Sequence, residues 1–381
     1  MAADVYFMDL TATSRENLPS KLERLVTMAG INTVISENDL TAVKVHFGER
    51  GNTGYIRPTF IRKIIRTLRK ADASPFLTDA NTLYVGARSD AVSHIRTAVE
   101  NGFSYSSMDG APVVIADGLL GKSEARVQVD LKQCNEVFIG AEIVNANALV
   151  SVAHFKGHEL SGFGGTLKNL GMGCASRRGK LDQHSNVSPK IKRKTCIGCG
   201  QCAAYCPGEA IYLQEKKAYI RKDDCIGCAE CIVRCPTESI NIKWNQTVPV
   251  FLEKMMEYTA GVLQNKAGKA FFINFITNVT PKCDCLPYSE VPICNDIGVV
   301  ASLDPVAIDQ ASADLVNRQQ APAGTTLSCN HGPGEDKFRG LYPDVDWEHQ
   351  LAYAGDIGLG TREYNLITLE TLAYKNEGAH S

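Results

Sequence analysis

The chain has 381 residues, 44% of them hydrophobic and 22% charged, and 40 Lys and Arg against 42 Asp and Glu give a formal net charge of −2. Length allows two or three domains at roughly 150 residues each, and the near-neutral balance gives no electrostatic reason to expect nucleic acid or an anionic membrane as partner. No apolar run approaches the ~20 residues that span a bilayer. The N-terminal MAADVYFMDL lacks the basic and apolar regions of a signal peptide, so the chain reads as cytoplasmic. In that compartment its 14 cysteines are candidates for metal ligation rather than for disulfides.

From the N-terminus to about Ser188, short apolar segments alternate with helical ones. TAVKVHF (Thr41–Phe47), PFLTDA (Pro75–Ala80), PVVIAD (Pro112–Asp117), EVFIG (Glu136–Gly140) and ALVSVAHF (Ala148–Phe155) predict strands. PTFIRKIIRTLRK (Pro58–Lys70) opens with proline and RSDAVSHIRTAVENG (Arg88–Gly102) closes with glycine, so both predict helices. The rhythm stops at NVSPKIKRKTC, beginning at Asn186, and a cysteine-rich segment runs to about Lys243. It then resumes with a helix in VPVFLEKMMEYTAGVL, strands in KAFFINFI and DIGVVAS, and a helix in DPVAIDQASADLVNR with Asp304 as N-cap and Pro305 at N1. The expected fold is α/β with a mainly parallel sheet flanked by helices, formed by residues 1–189 and 244–381. Residues 190–243 are an inserted small α+β domain. Past about Asn317 the pattern is weak, and two separate α/β domains remain an alternative.

Within the insert, CIGCGQCAAYCP (Cys196–Pro207) and CIGCAECIVRCP (Cys225–Pro236) both read C-x2-C-x2-C-x3-C-P, 29 positions apart. This is the two-cluster bacterial ferredoxin pattern, in which the fourth cysteine of each run ligates the other cluster. The rule assigns Cys196, Cys199, Cys202 and Cys235 to one [4Fe–4S] cluster, and Cys225, Cys228, Cys231 and Cys206 to the second. Soft thiolates suit iron, and Gly198, Gly200 and Gly227 let backbone approach the cluster. Zinc sites come in fours without this triple-plus-one repeat. The adjacent KIKRK (Lys190–Lys194) reads either as a solvated linker or as a patch that steers an acidic redox partner.

VSVAHFKGHELSGFGGTLKNLGMGCASRRGK (Val150–Lys180) follows an apolar strand, where α/β proteins place ligand sites. His154 and His158 share a face with Lys156 if the strand continues. Gly162, Gly164 and Gly165 precede Lys168, and backbone amides at a helix start beside a lysine would cradle an anionic ligand. The stretch matches no nucleotide-binding fingerprint, and the plainer reading is a tight packing turn. His46 in VKVHFGERGNTGY and the polar run of LTDANTLY end two further strands, which converge with His154 if the sheet is parallel. Six of the 14 cysteines lie outside the repeat. Cys134 and Cys329 read as ordinary thiols, whereas Cys283, Cys285, Cys294 and Cys174 are candidates for a third metal or cluster site. A redox-active thiol or an incidental loop are the alternatives.

The strings KVHFGERGN, LTDANTLY, HFKGHELSGFGGTLKNLGMGCASRRGK, the CDC at Cys283–Cys285 and DIGVVASLDPVAIDQ resemble the DUF362 family of iron–sulfur proteins. The resemblance spans roughly Ala42 to Val316 and implies a prokaryotic, anaerobic, cytoplasmic protein with an inserted two-cluster module, but no reaction. The resulting expectation is a [4Fe–4S]-dependent oxidoreductase. Its electrons come from an external ferredoxin or another redox partner protein and reach a small-molecule substrate, metal or cofactor site in the α/β part. His46, His154, His158 and Lys168 would line that site, with the histidines as proton donors or metal ligands. The alternatives are a non-catalytic electron-transfer or docking subunit and a metallocofactor maturation factor.

Overall fold

A computed structural model describes residues 2–185, 188–241 and 247–372. The expected limits of the cysteine-rich segment at Asn186 and at Lys243 and Trp244 fall outside these residues. In chain order the strands are β1 (Ala3–Asp9), β2 (Leu40–Val45), β3 (Ser74–Asp79), β4 (Val113–Ile115), β5 (Glu124–Gln128), β6 (Glu136–Gly140), β7 (Ala148–His154), β8 (Lys156–His158), β9 (Gly162–Gly164), β10 (Lys190–Ile191), β11 (Ile211–Gln214), β12 (Lys217–Ile220), β13 (Ile240–Asn241), β14 (Ala270–Ile276), β15 (Gly298–Ser302) and β16 (Tyr364–Thr368). Eight form one sheet in the order β16-β1-β15-β14-β7-β2-β3-β4. Its pairs are parallel except the two that β15 makes, with β1 and with β14. The fold is therefore α/β with a mainly parallel sheet. Strands from both sides of the cysteine-rich segment share that sheet.

Period-two alternation splits β14 between two cores, one on each face. Phe271, Ile273 and Phe275 join Val43, Val150 and Val152 on one face, while Phe272 and Ile276 join Leu149, Leu167 and Met255 on the other. Helix Pro58–Lys70 covers the first face through Ile61, Ile64, Ile65 and Leu68. Helices Val248–Leu263 and Pro305–Asn317 cover the second, and both contact the short helix Thr166–Gly171. Asp304 caps the Pro305–Asn317 helix by accepting from the amides of Val306 and Ala307 at 2.8 and 2.9 Å.

Two pairings lie beyond what the strand pattern specifies. Strand β6 lies outside the main sheet and pairs antiparallel with β5 in a two-stranded ribbon. Strand β15 runs against its neighbours because β14 and β15 are joined through the Cys283–Cys285 loop with no crossover helix between them.

The cysteine-rich segment holds two small ribbons, β10–β13 and β11–β12, and two short helices, Gln201–Ala204 and Glu230–Val233. Its halves repeat in backbone as well as in sequence. Gly198 and Gly227 have φ of 69° and 71°, and Gly200 and Ala229, which precede the two helices, have 77° and 58°. Ala229 thus holds a left-handed conformation that the other half gives to glycine.

Candidate functional site

Strands β14, β7, β2 and β3 are consecutive and parallel, so their C-terminal ends meet at one edge. There His46 follows β2, Asp79 ends β3, His154 ends β7, and the loop after β14 brings in Cys283 and Cys285. Together with Lys156, His158 and Lys168 they surround a cavity of about 590 Å³. The sequence-predicted residues His46, His154, His158, Lys168, Gly164 and Gly165 all line it. Gly162 does not. It has φ 74° and packs against Trp347, whose Cβ would lie 2.5 Å from an added methyl.

The three histidines have different surroundings. The Nδ1 of His154 lies 2.8 Å from Asp284 Oδ2, and its Nε2 lies 2.9 and 3.1 Å from the carbonyl oxygens of Thr277 and Asn278. Every partner is an acceptor, so satisfying all three requires the ring to donate from both nitrogens, with no lone pair left for a metal. His46 accepts the Gly48 amide at Nδ1 (3.0 Å), and His158 accepts the Leu160 amide at Nδ1 (3.2 Å). Burial pushes both rings well below the ordinary histidine range, helped by Arg88 at His46 and by Lys168 at His158. Each is therefore a neutral imidazole with its proton on Nε2. That atom has no hydrogen-bond partner among the described residues, so His46 and His158 are built as donors rather than as ligands.

The Cys283–Asp284–Cys285 loop is fastened by its middle residue. Asp284 Oδ2 accepts from His154 and from Lys156 Nζ at 3.1 Å. Burial would push this carboxyl up, but the charges of His154 and Lys156 beside it hold it well below the usual range. The adjacent Cys285 thiol, assisted by Lys168 and Lys156, brings Cys283 down to about 5 against the opposing effect of burial. The Cys285 amide donates to the Cys283 sulfur at 3.3 Å. The neighbouring Cys283 sulfur, together with burial, holds Cys285 well above the ordinary thiol range. Cys283 is thus a buried thiolate and Cys285 its proton-bearing neighbour.

The other two cysteines proposed alongside this pair lie elsewhere. Cys294 is buried in the hydrophobic core, where burial pushes it up to about 12. Cys174 belongs to the same core, packs 3.8 Å from the Asn169 carbonyl and is pushed up to about 11. Neither lines the cavity. Among the described residues no three His, Cys, Asp or Glu side chains stand close enough to share one metal ion.

The glycine-rich stretch also differs from expectation. The amides of Thr166 and Leu167, at the start of the Thr166–Gly171 helix, donate to Asp309 Oδ1 and Oδ2 at 2.8 and 2.9 Å. A carboxylate of the chain itself therefore occupies the anion cradle. Gly165 is required there because a Cβ would fall 2.3 Å from Asp309 Oδ1. Lys168 lines the cavity with neither ion-pair nor hydrogen-bond partner among the described residues, and remains an available cation of this stretch.

Residues that sequence reasoning passed over complete the wall. Arg88 ties Glu49 (3.2 Å), Asp79 (3.6 Å) and the Tyr84 hydroxyl (2.9 Å), and Tyr84 donates to the Cys285 carbonyl at 3.0 Å. Lys44 pairs with Asp79 at 3.0 Å, and burial lowers the Lys180 ammonium to about 8. Glu49 and Asp79 thus already have cationic partners, whereas Glu159, exposed at the cavity, has no ion pair among the described residues. Only the position of Lys44 two residues before His46 hinted at its role.

The cysteine repeat forms two nests. One cavity is lined by Cys196, Cys199, Cys202 and Cys235, and a separate one by Cys206, Cys225, Cys228 and Cys231. Each nest takes three cysteines from one run and the fourth from the other. The second nest faces the α/β part. Glu230, buried beside Cys231, lies 3.5 Å from Arg177 and from Lys122 and 2.8 Å from Arg234. Arg177 begins the helix Arg177–His184, which also supplies Lys180 and His184 to the cavity wall. Leu83 packs with the cysteine-rich core and lines the cavity as well.

No curated protein matches the chain. Among solved structures it is similar to the lactate racemase apoprotein from Thermoanaerobacterium thermosaccharolyticum, with 14% identity and a TM-score of 0.34. The match covers 71% of this chain and 50% of the other, so the chain spans about half the length of that protein, and a likeness at this level says nothing of chemistry. Residues 41–314 match the family described as Domain of unknown function (DUF362), and with most of its length covered the chain belongs to that family.

Proposed function

We propose that this protein is an iron–sulfur oxidoreductase whose two [4Fe–4S] clusters serve a substrate site in the cationic cavity. The carrying observation is the division of eight cysteines into two nests by the crossover rule. When bound, such clusters store and pass single electrons. Cys196, Cys199, Cys202 and Cys235 would hold one and Cys225, Cys228, Cys231 and Cys206 the other, with Gly198, Gly200, Gly227 and Ala229 supplying the left-handed turns between the ligands.

Electron entry fits the first nest. Cys199 is exposed, Ile197 beside it is 63% exposed, and the basic run Lys190–Lys194 lies nearby, a surface suited to an acidic ferredoxin or similar redox protein. Delivery fits the second nest, joined to the cavity wall by Glu230, Arg177 and the Arg177–His184 helix. At the cavity, Lys168 and the Nε2–H groups of His46 and His158 would bind and orient an anionic substrate. Tyr84 and Arg88 hold the loop, and Leu83, Leu160 and Phe251 keep part of the wall dry.

Anaerobic reconstitution with iron and sulfide, followed by elemental analysis and electron paramagnetic resonance, tests the reading. About eight irons per chain and two interacting reduced centres are expected. A single metal ion per chain, or a signal unchanged in Cys228→Ser, would overturn it.

A further inference from the structure

We propose that Cys283 and Cys285 form a redox-active dithiol that reduces small anionic disulfides in the cationic cavity. The proposal rests on the electron-transfer reading above for repeated turnover, but its first half-reaction needs only this chain's own residues.

Three features converge on it. First, both cysteines line the cavity wall, and the Cys285 amide donates to the Cys283 sulfur at 3.3 Å, so the nucleophile and the residue that resolves its adduct are neighbours in one tight turn. Second, Asp284 between them is anchored to His154 and Lys156, so the loop is held while the sulfurs stay at the wall. Third, the wall offers three donors that no described residue takes up, Lys168 Nζ and the Nε2–H of His46 and of His158, while its unpaired carboxylate, Glu159, is exposed. They would receive a carboxylate on the substrate, whereas Glu49 and Asp79 are already paired with Arg88 and Lys44. A volume of about 590 Å³ suits a small organic molecule.

The step balances. The Cys283 thiolate attacks one sulfur of R–S–S–R, forming a Cys283–S–S–R bond and releasing R–S⁻. Cys285 then attacks the Cys283 sulfur, forming the Cys283–Cys285 disulfide and expelling the second R–S⁻, which takes up the Cys285 proton. The substrate gains two electrons and the dithiol loses two. Two one-electron reductions and one proton restore the thiolate–thiol pair, the reductant being iron–sulfur centres of the kind proposed above.

The test uses the full chain, reconstituted and kept anaerobic, with 3,3′-dithiodipropionate as the anionic probe and bis(2-hydroxyethyl) disulfide as the neutral one. Peptide mass spectrometry should find a Cys283–Cys285 disulfide in the wild type and a mixed disulfide on Cys283 in Cys285→Ser. The dicarboxylate should react about tenfold faster or more than the neutral probe, and Lys168→Gln should narrow that ratio. Absence of a Cys283 adduct in Cys285→Ser, or equal rates with the two probes, would overturn the proposal. Iron content and paramagnetic resonance on the same samples report the clusters independently. Missing clusters with an intact Cys283 adduct therefore strike only the electron-transfer reading, and intact clusters without an adduct strike only the dithiol.

Discussion

Replacing Gly165 with alanine isolates the contact that positions Lys168. Gly165 has φ −129°, outside the left-handed region that favours glycine, so the cost considered is the space a methyl would need. The added methyl would sit 2.3 Å from Asp309 Oδ1 and 2.7 Å from its Cγ, about 1 Å short of ordinary contact at ~3.5 Å. Asp309 cannot retreat by that much and keep amide bonds of 2.8 and 2.9 Å to Thr166 and Leu167. Bonds to a charged acceptor contribute roughly 1.5–3 kcal/mol each, so losing one or both gives a destabilisation of about 2–4 kcal/mol. The measurement is anaerobic urea unfolding followed by circular dichroism at pH 8, above the value of about 6 to which burial pushes Asp309. Hydrogen exchange over residues 166–171 should quicken in the same variant. In an Asp309→Ala background the clash is gone, and Gly165→Ala should then cost no more than about 0.5 kcal/mol, a coupling of about 2 kcal/mol. Equal costs in the two backgrounds would refute the assignment of Asp309 as the group that Gly165 accommodates.

Other expectations can be checked with single variants. Because Cys283 sits at about 5, its alkylation by iodoacetamide should be nearly flat from pH 7 to 9 where an ordinary thiol rises steeply, and Lys168→Gln should move its titration upward by removing a nearby cation; peptide-resolved alkylation rates decide this. Glu230→Ala leaves buried Arg177 without its carboxylate, so a loss of about 3 kcal/mol and weakened iron retention in the second nest are expected by urea unfolding and iron analysis. Ala229→Gly should stabilise the chain by up to about 1 kcal/mol by relieving a φ of 58°, whereas Gly200→Ala at φ 77° should destabilise it by about as much; both are read from urea midpoints.

The sequence disclosed helices well wherever start and stop residues bracket a periodic run. Pro58–Lys70 and Val248–Leu263 have the bounds that their patterns predict, and the Pro305–Asn317 helix starts at its Asp-Pro signal. Strand existence was legible too, since β2, β3, β7 and β14 stand within a residue or two of their apolar runs. What could not be read was pairing. β6 has the same apolar look as a central strand, and only its partner β5 shows that it leaves the main sheet. β1 went unassigned because its ADVYFMD run has meaning only beside β15 and β16, hundreds of residues away. The cavity was legible as a set of strand ends, but the direction in which each group is used was not. The pairing of His154 with Asp284 and the capping of a helix by Asp309 are tertiary contacts with sequence separations of 130 and more, and spacing does not encode them.

The placement of β1 also sets an order of events during synthesis. Both of its partners come late, at Gly298–Ser302 and Tyr364–Thr368, whereas the last nest cysteine is residue 235. Every cysteine of both nests is thus synthesised while β1 still has nothing to pair with. Assembling the two cysteine nests and closing the sheet are separable in time, and the closure, which pairs β1 with β15 and β16, is the slow, high-separation step. A nascent chain stalled after residue 241 but before β15 would carry all eight nest cysteines beside a sheet whose edge is still open.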